Sequence, residues 1–128
     1  MKSFKNFYLE SISDQESWDS LKEYWQEKGI EINPKVWENK LGKYARPYSI
    51  KVPKEKRNQG LGTAVMQSII DLADQQQRIL VMTPSTDFGA SSVERLKKFY
   101  KRFGFVENKG KNKDFSISET LYRNPKKK

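Results

Sequence analysis

The hydrophobic period changes twice between residues 47 and 82, and this constrains the fold more than any other feature of the chain. Tyr48, Ile50 and Val52 alternate, the period of a strand over 47–52, and Pro53 ends the run. Leu61, Ala64, Val65, Ser68, Ile69 and Leu72 then recur at helical spacing, which predicts a helix over 61–76. Ile79-Leu80-Val81-Met82 is a short continuous apolar run, suited to a buried strand. Strand, helix and strand in that order make a parallel crossover unit.

The flanks extend the pattern. Phe7, Leu9 and Tyr8 suggest a first strand within Phe4–Ile12. Ser13 with Glu16 forms a capping box, and Trp18, Leu21 and Trp25 share one face of a helix over 14–28, with Gly29 as its stop. Residues 30–46 carry the weakest signal. Ile30 and Ile32 alternate, Pro34 interrupts them, and Val36, Trp37 and Leu41 suit either a short helix or a strand. Downstream, Thr83–Ala90 is a loop and Ser91 with Glu94 is a second capping box. The helix it opens runs through Val93, Leu96, Phe99 and Phe103, and Gly104 closes it. Phe105-Val106 begins a strand, residues 108–112 turn, and Phe115–Tyr122 returns as an antiparallel strand. The expected class is α/β, a central mixed sheet flanked by helices. At 128 residues the chain suits one domain, over 1–125, with 126–128 as a basic disordered tail.

The chain has no cysteine and no histidine. That excludes disulfides, thiolate nucleophiles, structural zinc and catalysis through a Ser-His-Asp or Cys-His pair, and no metal site is expected. Acid–base chemistry must come from Asp, Glu, Tyr, Lys or water. No apolar run reaches the length of a signal peptide or a membrane span, so a cytoplasmic location is expected. The net charge of +9 is unevenly spread. Residues 1–94 are neutral, whereas 95–128 hold 12 Lys/Arg against Glu107, Asp114 and Glu119. This excess is either a solvated surface or a face for an anionic partner.

The chemistry concentrates between the first strand of the crossover and its helix. Lys54-Glu55-Lys56-Arg57-Asn58-Gln59-Gly60 is a polar, mostly basic loop, and Gly60 and Gly62 bracket the helix start. The first amides of a helix lack intrahelical partners, and with the helix dipole they attract anions. Glycine lets a ligand approach the backbone, and Thr63 adds a hydroxyl. A diphosphate held by main-chain N–H groups suits this arrangement. A P-loop would need a Lys after its glycine, and a dinucleotide-binding turn would need a third glycine where Val65 stands.

Arg57-x-x-Gly60-x-Gly62 resembles the Arg/Gln-x-x-Gly-x-Gly/Ala motif with which the GNAT superfamily of acetyltransferases binds the pyrophosphate of acyl-CoA. It follows Val52-Pro53, as in that family. The segment Leu96–Phe105, with Tyr100 ahead of Gly104-Phe105, resembles the family's later helix. Phe99–Val106 and Lys113-Asp114-Phe115 are further similar to small GNAT-like proteins of tailed bacteriophages, which would place the chain in a host cytoplasm. The resemblance implies acetyl-CoA as co-substrate. Ile50, Val52, Arg57, Asn58, Gln59, Gly60, Leu61, Gly62 and Thr63 would bind it, and main-chain N–H groups near Ile50–Val52 would polarise the thioester oxygen. Where the family often has Asn and Ala before the Tyr, this chain has Val93 and Leu96, with Ser85, Thr86, Ser91 and Ser92 as substitutes. The usual hairpin before the motif strand looks shortened.

The same resemblance implies that an amine attacks the thioester directly in a ternary complex. Tyr100 would be the general acid at the departing thiolate, since a phenol is protonated at neutral pH. The competing reading makes Tyr100 a core aromatic beside Phe99. Glu38, Asp87, Asp114 and Glu119 are candidate bases. The acceptor is open: a small amine, a protein lysine or nucleic acid. The alternative function is a non-catalytic GNAT-like fold that binds nucleic acid or a host protein. Lys109, Lys111, Lys113, Arg123 and 126–128 would then contact phosphates, without base readout.

Overall fold

The computed structural model describes residues 13–47, 50–56, 60–84 and 93–126. The strand expected within Phe4–Ile12 lies outside them, as do Ser91 and the 126–128 tail beyond Lys126.

Helix α1 spans Asp14–Glu27. Ser13 caps it, its Oγ accepting the Glu16 N–H at 3.1 Å, and Asp14 and Glu16 face the positive end of the helix dipole. Trp18, Leu21 and Trp25 are buried together, as their spacing predicts. The two indoles also bond to the next helix or its end: Trp18 Nε1 donates to Gln76 at 2.8 Å and Trp25 Nε1 to Ser68 at 2.9 Å.

Residues 30–46 resolve into strands. β1 is Glu31–Ile32, β2 is Lys35–Asn39, β3 is Gly42–Arg46 and β4 is Ile50–Lys51. β2 and β3 are an antiparallel hairpin, and the Asn39 side-chain oxygen accepts the Leu41 and Gly42 N–H groups across its turn. β1 pairs with β4 in the same antiparallel sense. Of the strand predicted over 47–52, only Ile50–Lys51 is strand among the described residues, and its partner is β1. Lys35 opposes Arg46 at the end of the hairpin, and Ile32 opposes Ile50 in the smaller two-stranded ladder.

Helix α2 spans Leu61–Gln75, strand β5 Ile79–Met82, helix α3 Val93–Lys101, strand β6 Val106–Glu107 and strand β7 Leu121–Arg123. The main sheet runs β2-β3-β5-β7-β6, with β3 and β5 parallel and every other pair antiparallel. This is the mixed α/β sheet that the period changes imply. Alternate residues of β5 enter different clusters. Leu80 and Met82 join Ala45, Leu121 and residues of all three helices, while Ile79 and Val81 join Trp37, Tyr44, Tyr122 and Ile117. A strand packed on both faces has no polar alternation to show.

The return strand is shorter than predicted. Only 121–123 pair, and Phe115 is 90% exposed. Asn108 explains this. Its side chain donates to the carbonyls of Ile117 and Glu119 and accepts the Asp114 N–H, so the segment folds around an amide instead of a neighbouring strand.

Arg78 ties the elements together. It is 2% exposed and donates to Asp14, to Gln76 and to the main-chain carbonyls of Trp37 and Tyr44. No helix among the described residues is long and apolar enough to cross a membrane.

Candidate active site

The pairing of β3 with β5 ends early. Tyr44 opposes Ile79 and Ala45 opposes Leu80, but the next strand segment, β4, pairs with β1 and belongs to another sheet. Two parallel strands that separate toward their carboxyl ends leave a gap, and ligands of open α/β sheets bind at such ends. Ile50 and Val52 flank this point, half-buried, and pack on the main core.

Helix α2 begins close by in sequence, at an end unlike that of α1. Its N-cap is Gly60, in the left-handed conformation at φ 74°, with no side chain to bond the first turn. No residue of that turn is acidic. Three first-turn amides, those of Leu61, Gly62 and Thr63, have no helical acceptor, since the ladder starts with Ala64 N–H to Gly60 O. α1 caps its N-terminus with Ser13 and carries Asp14 and Glu16 in its first turn, whereas α2 presents donors and a positive dipole end with no side-chain cap among the described residues. This chemistry fits a diphosphate. Leu61 is half-buried on the core and Thr63 is exposed.

The two sequence motifs meet in space. A Cβ added at Gly62 would lie 3.9 Å from the Phe99 ring, so α3 packs against the opening turn of α2. Next along α3, Tyr100 is 8% exposed, edge-on to Phe99 and tilted on Phe105. Burial pushes its phenol above the ordinary tyrosine value. The ring thus sits in the core, as the competing reading expects, and also holds its proton as an acid must. Arg57, Asn58 and Gln59 lie outside the described residues, as do Ser85, Thr86, Asp87, Ser91 and Ser92.

Lys56 is engaged elsewhere than at an anion. Its Nζ donates to the Lys28 carbonyl at the end of α1, a C-terminal cap. Among the candidate bases, Glu38 reaches Arg78 at 3.4 Å and is exposed. Asp114 accepts the hydroxyl and the N–H of Ser116, and these bonds hold its carboxyl below the usual range, which weakens it as a base. Glu119 is buried against Arg46. Of the residues assigned to phosphate contact, Arg123 is excluded. It is 5% exposed and bonded to Asp74 at 2.7 Å and to the Phe103 carbonyl at 2.8 Å. Lys97, Lys101 and Lys109 surround Glu107 and hold its carboxyl below the usual range, Lys101 most of all. Lys111 and Lys113 remain exposed on the surface.

Sequence reasoning left the β2–β3 hairpin unread and missed the place of Phe99 beneath Gly62. The Asn39-Lys40-Leu41-Gly42 turn was the available signal for the first.

A family model described as an acetyltransferase (GNAT) domain matches residues 23–107, about two thirds of the chain. No curated protein matches the chain.

Proposed function

We propose that this chain, which belongs to the acetyltransferase (GNAT) domain family, moves an acetyl group from acetyl-CoA to an amine by direct attack in a ternary complex. One observation carries the reading: the start of α2 has no side-chain cap and no acidic residue in its first turn, and it follows closely in sequence on β4, after β3 leaves the ladder with β5. Acetyl-CoA supplies the activated thioester. The amides of Gly60 to Thr63, with Arg57, Asn58 and Gln59, hold the diphosphate, and Gly62 keeps that turn open. Main-chain groups from Ile50 to Val52 take the pantetheine and polarise the thioester oxygen. Tyr100 donates its proton to the departing sulfur. The N–C bond forms as the C–S bond breaks, the amine's surplus proton passes to water, and Tyr100 regains a proton from solvent. The segments Phe99–Val106 and Lys113–Phe115 support a phage-type member working in a host cytoplasm.

A second reading keeps the fold without the transfer, as a basic module. The exposed Lys109, Lys111 and Lys113 favour it. Calorimetry with acetyl-CoA separates the two. The transferase reading expects saturable binding and a rise in melting temperature, because a ligand that binds only the folded state stabilises it by mass action. No heat and no shift at millimolar acetyl-CoA would refute it.

A further inference from the structure

A small cleft of about 290 Å³ opens at the carboxyl ends of the parallel strands, lined by Arg46, Met82, Thr83, Ser118 and Glu119. Arg46 ends β3 and Met82 ends β5, so the cleft lies where those strands begin to part. Its polar wall is an ion pair. Glu119 is 8% exposed and one carboxylate oxygen meets the Arg46 guanidinium. The other oxygen accepts the Ser118 hydroxyl at 3.2 Å. The guanidinium lies over the Trp37 ring at 5.2 Å, and Trp37 stacks on the buried Tyr44. Arg46 is therefore braced by the sheet and does not depend on Glu119 alone for its position. The other described clefts differ. One beside β4 holds the Glu31–Lys51 pair, whose side chains are 60% and 51% exposed and are screened by water. Another has Asp74 and Arg123 in its wall, and these are already bonded to each other across the fold.

We propose that the Arg46–Glu119 pair recognises the acceptor, and that the acceptor is a small aminocarboxylate whose amine stands next to a carboxylate. The inference rests on the acetyl-transfer reading. Its basis is charge balance. A ligand with only an amine that takes Glu119 away from Arg46 leaves a guanidinium short of its counter-charge in a largely buried site, which is costly. A zwitterion leaves none: its ammonium meets Glu119, its carboxylate meets Arg46, and four charges alternate. The cleft's volume is near the lower end for ligand sites, which suits an amino-acid-sized molecule. The ammonium releases one proton to become nucleophilic, the nitrogen bonds the acetyl carbon as the C–S bond breaks, and its second proton leaves. One proton ends on the CoA thiol and one in solvent. Glu119 positions the nitrogen and Arg46 fixes its register.

The test is a wild-type acceptor panel, followed as thiol release from acetyl-CoA. It compares α-amino acids with the amines that remain when their carboxyl group is removed. The expected preference in kcat/KM is about 100-fold or more, because a site built for a polar group rejects the analogue that lacks it. The double variant R46Q/E119Q, which removes both charges and leaves neither buried alone, should erase the preference and keep acetyl-CoA affinity by calorimetry. Equal or faster turnover of the decarboxylated amines overturns the proposal, as does a preference that survives in R46Q/E119Q. If acetyl-CoA binds but no aminocarboxylate releases thiol or shifts the melting temperature of the complex, the proposal is overturned while the CoA site stands. If acetyl-CoA does not bind, the transferase reading fails. The melting shift with amino acids alone then decides the cleft, with a shift lost in R46Q/E119Q upholding it and no shift overturning it.

Discussion

Gly62→Asp separates what the fold needs from what the ligand needs, because the two effects have opposite signs. The new Cβ meets the Phe99 ring at 3.9 Å, ordinary contact, and the position lies in the first turn of α2. The fold should therefore accept the side chain. Asp is a slightly better helix residue than Gly by a few tenths of a kcal/mol. Its charge near a helix N-terminus adds about 0.3–1 kcal/mol. The free variant should melt roughly 2–5 °C above wild type, on the scale of about 3–5 °C per kcal/mol for a domain of this size. Acetyl-CoA at a hundred times its dissociation constant stabilises the wild type by about 2.7 kcal/mol, or roughly 10 °C. In the variant a carboxylate stands about 4 Å from a phosphate charge. At an effective dielectric of about 20 that repulsion is about 4 kcal/mol, or roughly a thousandfold in affinity. The same acetyl-CoA concentration then yields no measurable shift. Differential scanning fluorimetry with and without acetyl-CoA reads both effects. A free variant that melts well below wild type would mean that Gly62 serves the fold, and a preserved ligand shift would mean that the diphosphate does not sit at this turn.

Three further expectations follow from the same geometry. Gly60→Ala should cost about 1–2 kcal/mol in urea unfolding, since φ is 74° and nothing lies within 4 Å of the added methyl, so the penalty is the left-handed backbone alone; an unchanged midpoint would deny that conformation. Tyr100→Phe should lower kcat roughly 10²–10⁴-fold with acetyl-CoA affinity kept, and full activity would leave Tyr100 a packing residue. Because burial raises its phenol, the wild type keeps this proton beyond the ordinary tyrosine range. Its stabilising share is complete below the unfolded value near 10 and is lost only as pH climbs through the higher folded value. For the binding-module reading, Lys109, Lys111 and Lys113 should give weak DNA affinity that falls about 10–50-fold between 50 and 200 mM salt; no fluorescence change at 50 mM removes nucleic acid as a partner.

The elements that were legible in the sequence are those whose cause is local. Ser13 caps the helix it was expected to cap, and the Trp18, Leu21, Trp25 stripe is buried because a helix brings those positions together whatever it packs on. The Gly60–Gly62 helix start was legible for the same reason: a left-handed glycine and an uncapped first turn are properties of a few adjacent residues. Elements set by distant partners were not. β1 and β4 pair over only two residues each, too few to show a period. Likewise Phe115, Ile117, Glu119 and Leu121 alternate as a strand should. Nothing in that alternation shows that Asn108 captures the carbonyls of Ile117 and Glu119.

The same division explains why a cofactor motif is easier to read than an acceptor site. A diphosphate can be held by consecutive amides of one turn, so such a motif is contiguous in sequence, as Arg57-x-x-Gly60-x-Gly62 is. The Arg46–Glu119 pair joins residues 73 positions apart, and each looks unremarkable alone: Arg46 falls in the segment with the weakest pattern, and Glu119 sits in a run that reads as a strand. What brings them together is the order of the sheet. β3 pairs with β5 and β5 with β7, so the end of the first and the approach to the last come to the same edge of the parting strands. The Asn108 amide bonds the Glu119 main-chain carbonyl, while the Glu119 carboxylate meets Arg46. If the proposed pair selects the acceptor, a change at Asn108 alters that choice without touching the cleft: Asn108→Ala should relax the preference for aminocarboxylates in the acceptor panel while acetyl-CoA affinity stays at the wild-type value, and an unaltered preference in a folded Asn108→Ala protein would show that Glu119 is positioned by Arg46 alone.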